Sequence, residues 1–351
     1  MSTGKESWHP QALAERAPFL RQRGLILREV RAFFDRVDFT EVETPCLQIS
    51  PGLEPHLKAF ATALQDPWGE PDQTLYLHTS PEFAMKKLLV AGMERIFQIA
   101  HVFRNGERSD THSPEFSMLE WYRAGGAINQ MMDDTEELVR ACTRAAGKQT
   151  LRRANHLCDP FAPWERLSIA QAFDRHCGID VLATAPDPWA PDTARLAAEA
   201  TRIGVSVSPT DRWDDIFFKI LLDRIEPHLG MATPTILHSY PLSMAALARP
   251  NPADNRVADR FEAYACGVEL CNAFGELTDA GEQERRFIAD MDMKEALYGE
   301  RYPLDRDFLA ALAHGMPEAA GNALGLDRLV MLICGADSLE QVLWLPVQKT
   351  G

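Results

Sequence analysis

Apolar residues keep helical spacing in some stretches of this chain and alternate in others, and the two periods divide it into elements. Between residues 21 and 36, Leu25, Ile26, Val30, Phe33 and Phe34 mark one face of a helix. Residues 40–43 read as a short extended piece that stops at Pro45, and 74–77 as a strand. Ser80 has the chemistry of a helix N-cap with Pro81 at the first helical position, and Gly92 that of a C-terminal stop. Residues 95–103 and 115–123, separated by the polar turn NGERSDTHSP, predict an antiparallel pair. Helices are expected over 129–146, 167–175, 192–202, 213–227, 281–297 and 305–313. Strands are expected at 234–240, 260–265, 268–272 and 321–325, the last followed by another helix. Strands without regular βαβ alternation imply an α+β fold, a mainly antiparallel sheet flanked by helices. The chain reads as a single domain over 1–351, with a helical insertion at about 186–230.

Three stretches carry residues that a simple core does not explain. In EFSMLEWYR, Phe116, Met118, Glu120 and Tyr122 share one strand face, and Ser117, Leu119 and Trp121 the other. Taken alone, this is an edge strand whose Glu120 reaches water, because charged side chains are seldom buried. Arg104 lies where it can join the Glu120 face. Its planar fork suits phosphate oxygens, although for an isolated arginine a structural ion pair is the plainer reading.

In VELCNAFGE, regular alternation sends Glu269, Cys271 and Ala273 one way and Asn272, Phe274 and Glu276 the other. A bulge near Gly275 would bring both glutamates to one site, where they and a phosphate chain would hold Mg²⁺. Solvated acids at a strand end are the equal alternative. In GNALGLDRL, Gly321, Ala323 and Gly325 form a nearly bare strand face on which a flat ligand can lie, with Arg328 reaching a terminal phosphate. Tight strand–helix packing would also account for it. Neither a phosphate loop with Gly-Lys-Ser/Thr nor a dinucleotide fingerprint occurs.

Composition narrows the classes. Hydrophobic and charged fractions of 46% and 25% are those of a globular protein. No apolar run is long enough to span a bilayer and the N-terminus lacks a signal-peptide core, so the chain is expected in the cytoplasm. Seven scattered cysteines without a C-x-x-C pair suggest neither a zinc site nor a disulfide framework. With 36 Lys and Arg against 51 Asp and Glu, the formal charge is −15, which argues against nucleic acid as the main partner.

In order, RAFFDRVDFTEVETP, FRNGERSDTHSPEFSMLEWY and GNALGLDRL resemble the three signature motifs of class II aminoacyl-tRNA synthetases. TSPEFAMKKLLVAGMERIFQI and GVELCNAFGELTD look like the lysyl branch, and the likeness runs from about residue 20 to 345. Lysyl-tRNA synthetases carry an anticodon-binding domain before the catalytic domain, and here the first motif starts too early to leave room for it. The chain therefore resembles the truncated elongation factor P–lysine ligase family, which attaches (R)-β-lysine to a lysine of elongation factor P.

The resemblance implies ATP and Mg²⁺ as cofactors, (R)-β-lysine or lysine as substrate, elongation factor P rather than tRNA as acceptor, and a homodimer without membrane contact. It implies catalytic roles for Arg104, Arg328 and Glu269, with Arg104 bridging the α-phosphate and the amino-acid carboxylate. Asn105, Glu107, His112, Ser113, Phe116, Leu270 and Gly325 would complete the ATP site, Phe116 stacking on adenine. Ser80, Pro81, Glu82, Glu120, Tyr122, Asn272, Phe274, Glu276 and Ala323 would frame the amino acid, and Glu269 and Glu276 would hold Mg²⁺. A diamino substrate explains the carboxylates at 82, 120 and 276.

Three positions depart from the lysyl-tRNA synthetase pattern. Gly106 stands where Glu is usual, so Glu107 either takes over its contact or the contact is lost, and Ser113 stands where Asn is frequent. Ala323 stands where lysyl-tRNA synthetases read Gly; on this reading it trims the space used by α-lysine. A lysyl-adenylate enzyme with tRNA or a small molecule as acceptor, or a non-catalytic paralog, are the competing functions. Retention of Arg104, Glu269, Glu276 and Arg328 argues against the last.

Overall fold

The structure is a computed structural model that describes residues 6–69 and 71–348. An eight-stranded sheet runs through its middle. In chain order its strands are β1 (Thr40–Glu41), β2 (Arg95–Phe103), β3 (Glu115–Ala124), β4 (Glu165–Ser168), β5 (Thr235–His238), β6 (Arg260–Ala265), β7 (Val268–Gly275) and β8 (Ala319–Gly325). They lie side by side as β1-β2-β3-β8-β7-β6-β5-β4, the two outermost pairs parallel and the five between them antiparallel. The helices around it are α1 (Pro10–Arg36), α2 (Glu82–Val90), α3 (Ile128–Ala145), α4 (Ile169–Cys177), α5 (Thr193–Arg202), α6 (Trp213–Ile220), α7 (Ala280–Tyr298), α8 (Arg306–Gly315) and α9 (Leu326–Cys334). This is the α+β architecture that the hydrophobic pattern predicts.

Each face of the sheet has its own business. On β3, Leu119 and Trp121 turn into the main core with α1, α3 and α9, where Phe34 of α1 stacks on Phe97 at 4.5 Å and tilts against Trp121 at 5.6 Å. The alternating residues Phe116 and Met118 face the opposite side and line a cavity. The core side also holds a buried ion pair: Arg23 of α1 meets Asp327 of α9 at 2.5 Å, and Asp327 accepts from the Ser117 amide at 2.8 Å. Breaking such a pair typically costs ~3–5 kcal/mol, so it pins α1 and the start of α9 to β3.

Several expectations change. Helix α1 begins at Pro10 and carries Pro18 within it, because its first turns are mostly exposed and give no apolar stripe to count. Residues 165–168 are a strand rather than the start of a helix; Ser168 is the N-cap of α4, accepting from Gln171 N at 3.2 Å while the Gln171 side chain accepts from Ser168 N. The helix expected over 213–227 stops at Ile220 and continues as a π turn and a 3₁₀ turn through Pro227, whose ring has no N–H to carry a helix on. Small strands at Leu47–Gln48, Phe60–Leu64 and Gln73–Leu77 form a separate three-stranded sheet. Two hairpins, 151–158 and 250–258, had no predicted counterpart.

Helices α5 and α6 lie in the 186–230 stretch and have a core of their own with α4. Leu196, Trp213, Phe217 and Ile220 pack there against Leu237 of β5 and Tyr264 of β6.

Candidate active site

A cavity of about 420 Å³ opens over the middle of the sheet. Its floor comes from β3, β7 and β8; the opposing wall comes from residues 54–57, residues 243–247, Asp214 and Phe218 of α6, and Asp290 and Met293 of α7. Most of the predicted residues converge on it. Ser80, Glu82, Arg104, Glu107, His112, Ser113, Phe116, Glu269, Leu270, Asn272, Phe274, Ala323, Gly325 and Arg328 all line it. Pro81, Asn105, Glu120, Tyr122 and Glu276 do not: Asn105 donates its backbone N–H to the Lys58 carbonyl at 2.6 Å, and the last three are buried.

One end of the cavity is built from arginines. Arg104 leans over the Phe116 ring at 5.3 Å and reaches Glu107 only at 3.9 Å. Its Nε is buried with no hydrogen-bond partner among the described residues. A buried guanidinium N–H left open is costly unless something fills the space beside it, and an anionic oxygen is what it fits. Arg328 is tied down: it donates to the carbonyls of Glu269 at 3.0 Å and Thr111 at 3.2 Å and meets His112 Nε2 at 2.8 Å. Burial, and then Arg328, lower the His112 pKa, so the neutral ring accepts from Arg328 while Nδ1 faces Ser109 Oγ at 2.8 Å. Gly106 takes φ +87°, a conformation that favours glycine, and the next residue, Glu107, faces the cavity.

The two glutamates of the VELCNAFGE stretch go to different places. The extra residue in β7 is Leu270, since Tyr264 pairs with Glu269 but the adjacent Ala263 pairs with Cys271. The bulge is therefore not at Gly275. It turns Glu269 onto the face of Asn272 and Phe274, at the arginine end. Glu276 leaves the other end of the strand, seven residues on, or roughly 20 Å of extended chain. One ion between Glu269 and Glu276 does not fit. The carboxylate beside Glu269 is Glu262 of β6, which the sequence reading missed; burial and then Glu262 raise the Glu269 pKa. Glu262 is held by Tyr240 at 2.5 Å, Tyr264 at 2.6 Å and Arg260 at 2.7 Å. Arg260, also missed, lines the cavity and orients the Asn272 side chain at 3.1 Å.

The other end is acidic and closed. Glu120 does not reach water from an edge strand: β3 lies between β2 and β8, and the residue is fully buried. It accepts from Ser80 Oγ at 2.5 Å and from Tyr122 OH at 2.9 Å. Ser80 also accepts from Glu82 N at 3.0 Å, so one hydroxyl starts α2 and steers Glu120; Pro81 takes the cap position itself. Burial first, and then Glu82, push Glu120 up to about 8, and burial pushes Glu276 up to about 7. Lys86 of α2 is buried between Glu82 and Glu276.

Gly321 is bare for a reason the pattern did not suggest. A Cβ there would collide with the Tyr122 ring and lie 2.6 Å from Glu276 Oε1, so glycine makes room for this group rather than for a ligand. Only Ala323 and Gly325 of that face open to the cavity. Among the described residues, no helix is long and apolar enough to cross a membrane.

Comparison with known proteins places this geometry. The family model described as tRNA synthetases class II (D, K and N) matches residues 13–349. The elongation factor P–(R)-β-lysine ligases of Salmonella paratyphi B and Salmonella schwarzengrund are each 39% identical to the chain over 345 residues, covering 98% of both partners.

Proposed function

The chain belongs to the class II tRNA synthetase family of the D, K and N type, and on that premise we propose that it is an ATP-dependent ligase for elongation factor P. It activates (R)-β-lysine as the adenylate and transfers it to the ε-amino group of one lysine of that protein. The observation that carries this reading is the Arg104 Nε, without a hydrogen-bond partner among the described residues, set in one cavity with Glu82, behind which Glu120 and Glu276 are buried. An anion-seeking donor and an ammonium-seeking pocket share one space, as an adenylate of a diamino acid needs. The likeness to ligases of this name over 98% of the chain supports it.

The substrate carboxylate attacks the α-phosphorus of ATP and displaces pyrophosphate; the acceptor amine then attacks the acyl carbon and displaces AMP. No side chain needs to act as a covalent nucleophile. Arg104 offsets the charge that develops on the α-phosphoryl oxygens, and its fixed orientation over Phe116 spares reorganisation. Phe116 offers adenine a ring face, Glu107 lies at the same wall, and Arg328 with His112 meets the outer phosphates. Magnesium would neutralise phosphate charge, and Glu269 beside Glu262 is the oxygen donor set that fits it. Glu82 and Glu120 receive an ammonium group, and Phe274 with Ala323 lines the methylene stem.

We read residues 186–230 as an insertion in a single catalytic domain, because α6 lends that domain cavity residues, and the assembly as a homodimer through α1. The deciding experiment supplies ATP, α-lysine or (R)-β-lysine, and either elongation factor P or tRNA, and follows the acceptor's mass. The expected product is elongation factor P heavier by one β-lysyl group; label on tRNA alone would refute the reading.

A further inference from the structure

The acidic end of the cavity already contains a cation. Lys86 has no solvent exposure, and its ammonium touches Glu82 one turn earlier on α2 and Glu276 at 2.5 Å. Burial opposes its charge, but Glu276 and Glu82 outweigh that and raise its pKa, so it stays an ammonium at neutral pH. Glu120 faces the same group from β3, and Tyr122 closes it, its phenol kept protonated by burial and by Glu120. Arg249 acts on Glu276 from outside. Of the three carboxylates, only Glu82 lines the cavity.

We propose that Lys86 is a positioning residue that stands in permanently for a substrate ammonium. Paired with Glu82 and Glu276, it keeps three buried carboxylates together in the empty protein and leaves the Glu82–Glu120 edge able to take one further ammonium. Without it the like charges would repel, and the pocket would either protonate further or open. An ammonium arriving at that edge lowers the Glu120 pKa, so binding near neutral pH expels a proton. This deepens the reading that the cavity takes a diamino acid and rests on it.

The test begins with ATP–pyrophosphate exchange by the unmodified protein with lysine or (R)-β-lysine; no exchange would sink both that reading and this one. Lys86→Met keeps the length of the side chain and removes its charge. It should raise the KM for the amino acid at least ~10-fold while leaving the KM for ATP within about twofold. Because Lys86 lowers the Glu120 pKa, the pH midpoint of amino-acid binding should also move upward. Unchanged amino-acid KM and pH midpoint, or equal losses for both substrates, overturn the role of Lys86 alone. If the variant does not fold, the unmodified protein decides: calorimetric titration at pH 7 in buffers of different ionisation enthalpy should show about one proton released per amino acid bound. An analogue without the side-chain amine should release none. No release with the diamino acid overturns the proposal.

Discussion

The two ends of the cavity solve opposite problems. At the arginine end a donor is left open: Arg104 Nε has no hydrogen-bond partner among the described residues, and Glu107 approaches only Nη1, at 3.9 Å. At the acidic end almost every charge is already answered, Glu82 and Glu276 by Lys86, and Glu120 by Ser80 and Tyr122. An open donor makes binding a simple gain. A satisfied network makes binding an exchange of partners, in which only the difference counts. The first end suits grip on a highly charged ligand common to many enzymes, and the second suits discrimination among amino acids.

The largest test of that contrast is Arg104→Ala. If the arginine end supplies the grip, ATP–pyrophosphate exchange should fall by at least ~10³-fold, in line with loss of a positioned donor to a developing charge. Thermal stability should barely move, since Arg104 makes no strong internal pair. Near-normal exchange would erase the distinction between the ends.

Gly321→Ala strikes the other end. The added methyl must displace the Tyr122 ring or Glu276, at a cost of ~1–3 kcal/mol by overpacking. Amino-acid KM should rise steeply and ATP KM little, measured by exchange kinetics. A matched change in both would show that the ends are not independent.

The exchange of partners also has a pH signature. Glu120 has its ordinary pKa near 4.5 in the unfolded chain and about 8 in the empty fold, so between those values the folded protein binds more protons than the unfolded one. Its contribution to stability is present at low pH and is lost as pH rises from about 4.5 to about 8. Glu276, raised to about 7, acts in the same direction. Melting temperatures across that range should decline for the empty protein and decline less with the diamino acid bound. An identical slope in both states would remove the acidic end from the recognition of ammonium.

The alternation of EFSMLEWYR was legible because strand periodicity is local, whereas the convergence of Arg104, Phe116, Glu269 and Arg328 was legible only through the resemblance of their motifs to those of class II synthetases. What escaped depends on contacts distant in sequence. Glu120 looked like an edge residue because its neighbour β8 comes some 200 residues later. The Leu270 bulge leaves no signature in composition, and it alone turns Glu269 toward Glu262. Lys86 was not singled out at all, since nothing near it in sequence reveals that Glu276 would meet it. The capping box at Ser168 and Gln171 was legible and would have moved the start of α4 to its true place.

The finest test lies where the two ends meet. Ala323 pairs with Glu120 on one side and Asn272 on the other, and its methyl stands on the cavity floor beside Phe116 and Met118. Unlike Gly321, whose Cβ space is taken by the Tyr122 ring, Ala323 opens to the cavity, so Ala323→Gly removes a methyl from its floor. The space gained lies above the strand, where the shifted amino group of a β-amino acid and that of its α-isomer would differ in position. One methyl in such a wall is worth ~1–3 kcal/mol between competing substrates. The substitution should raise kcat/KM for α-lysine relative to (R)-β-lysine several-fold, with ATP KM unchanged. An unaltered ratio would mean that selection between the isomers belongs to the carboxylates and Lys86, and that the floor of the cavity serves adenosine alone.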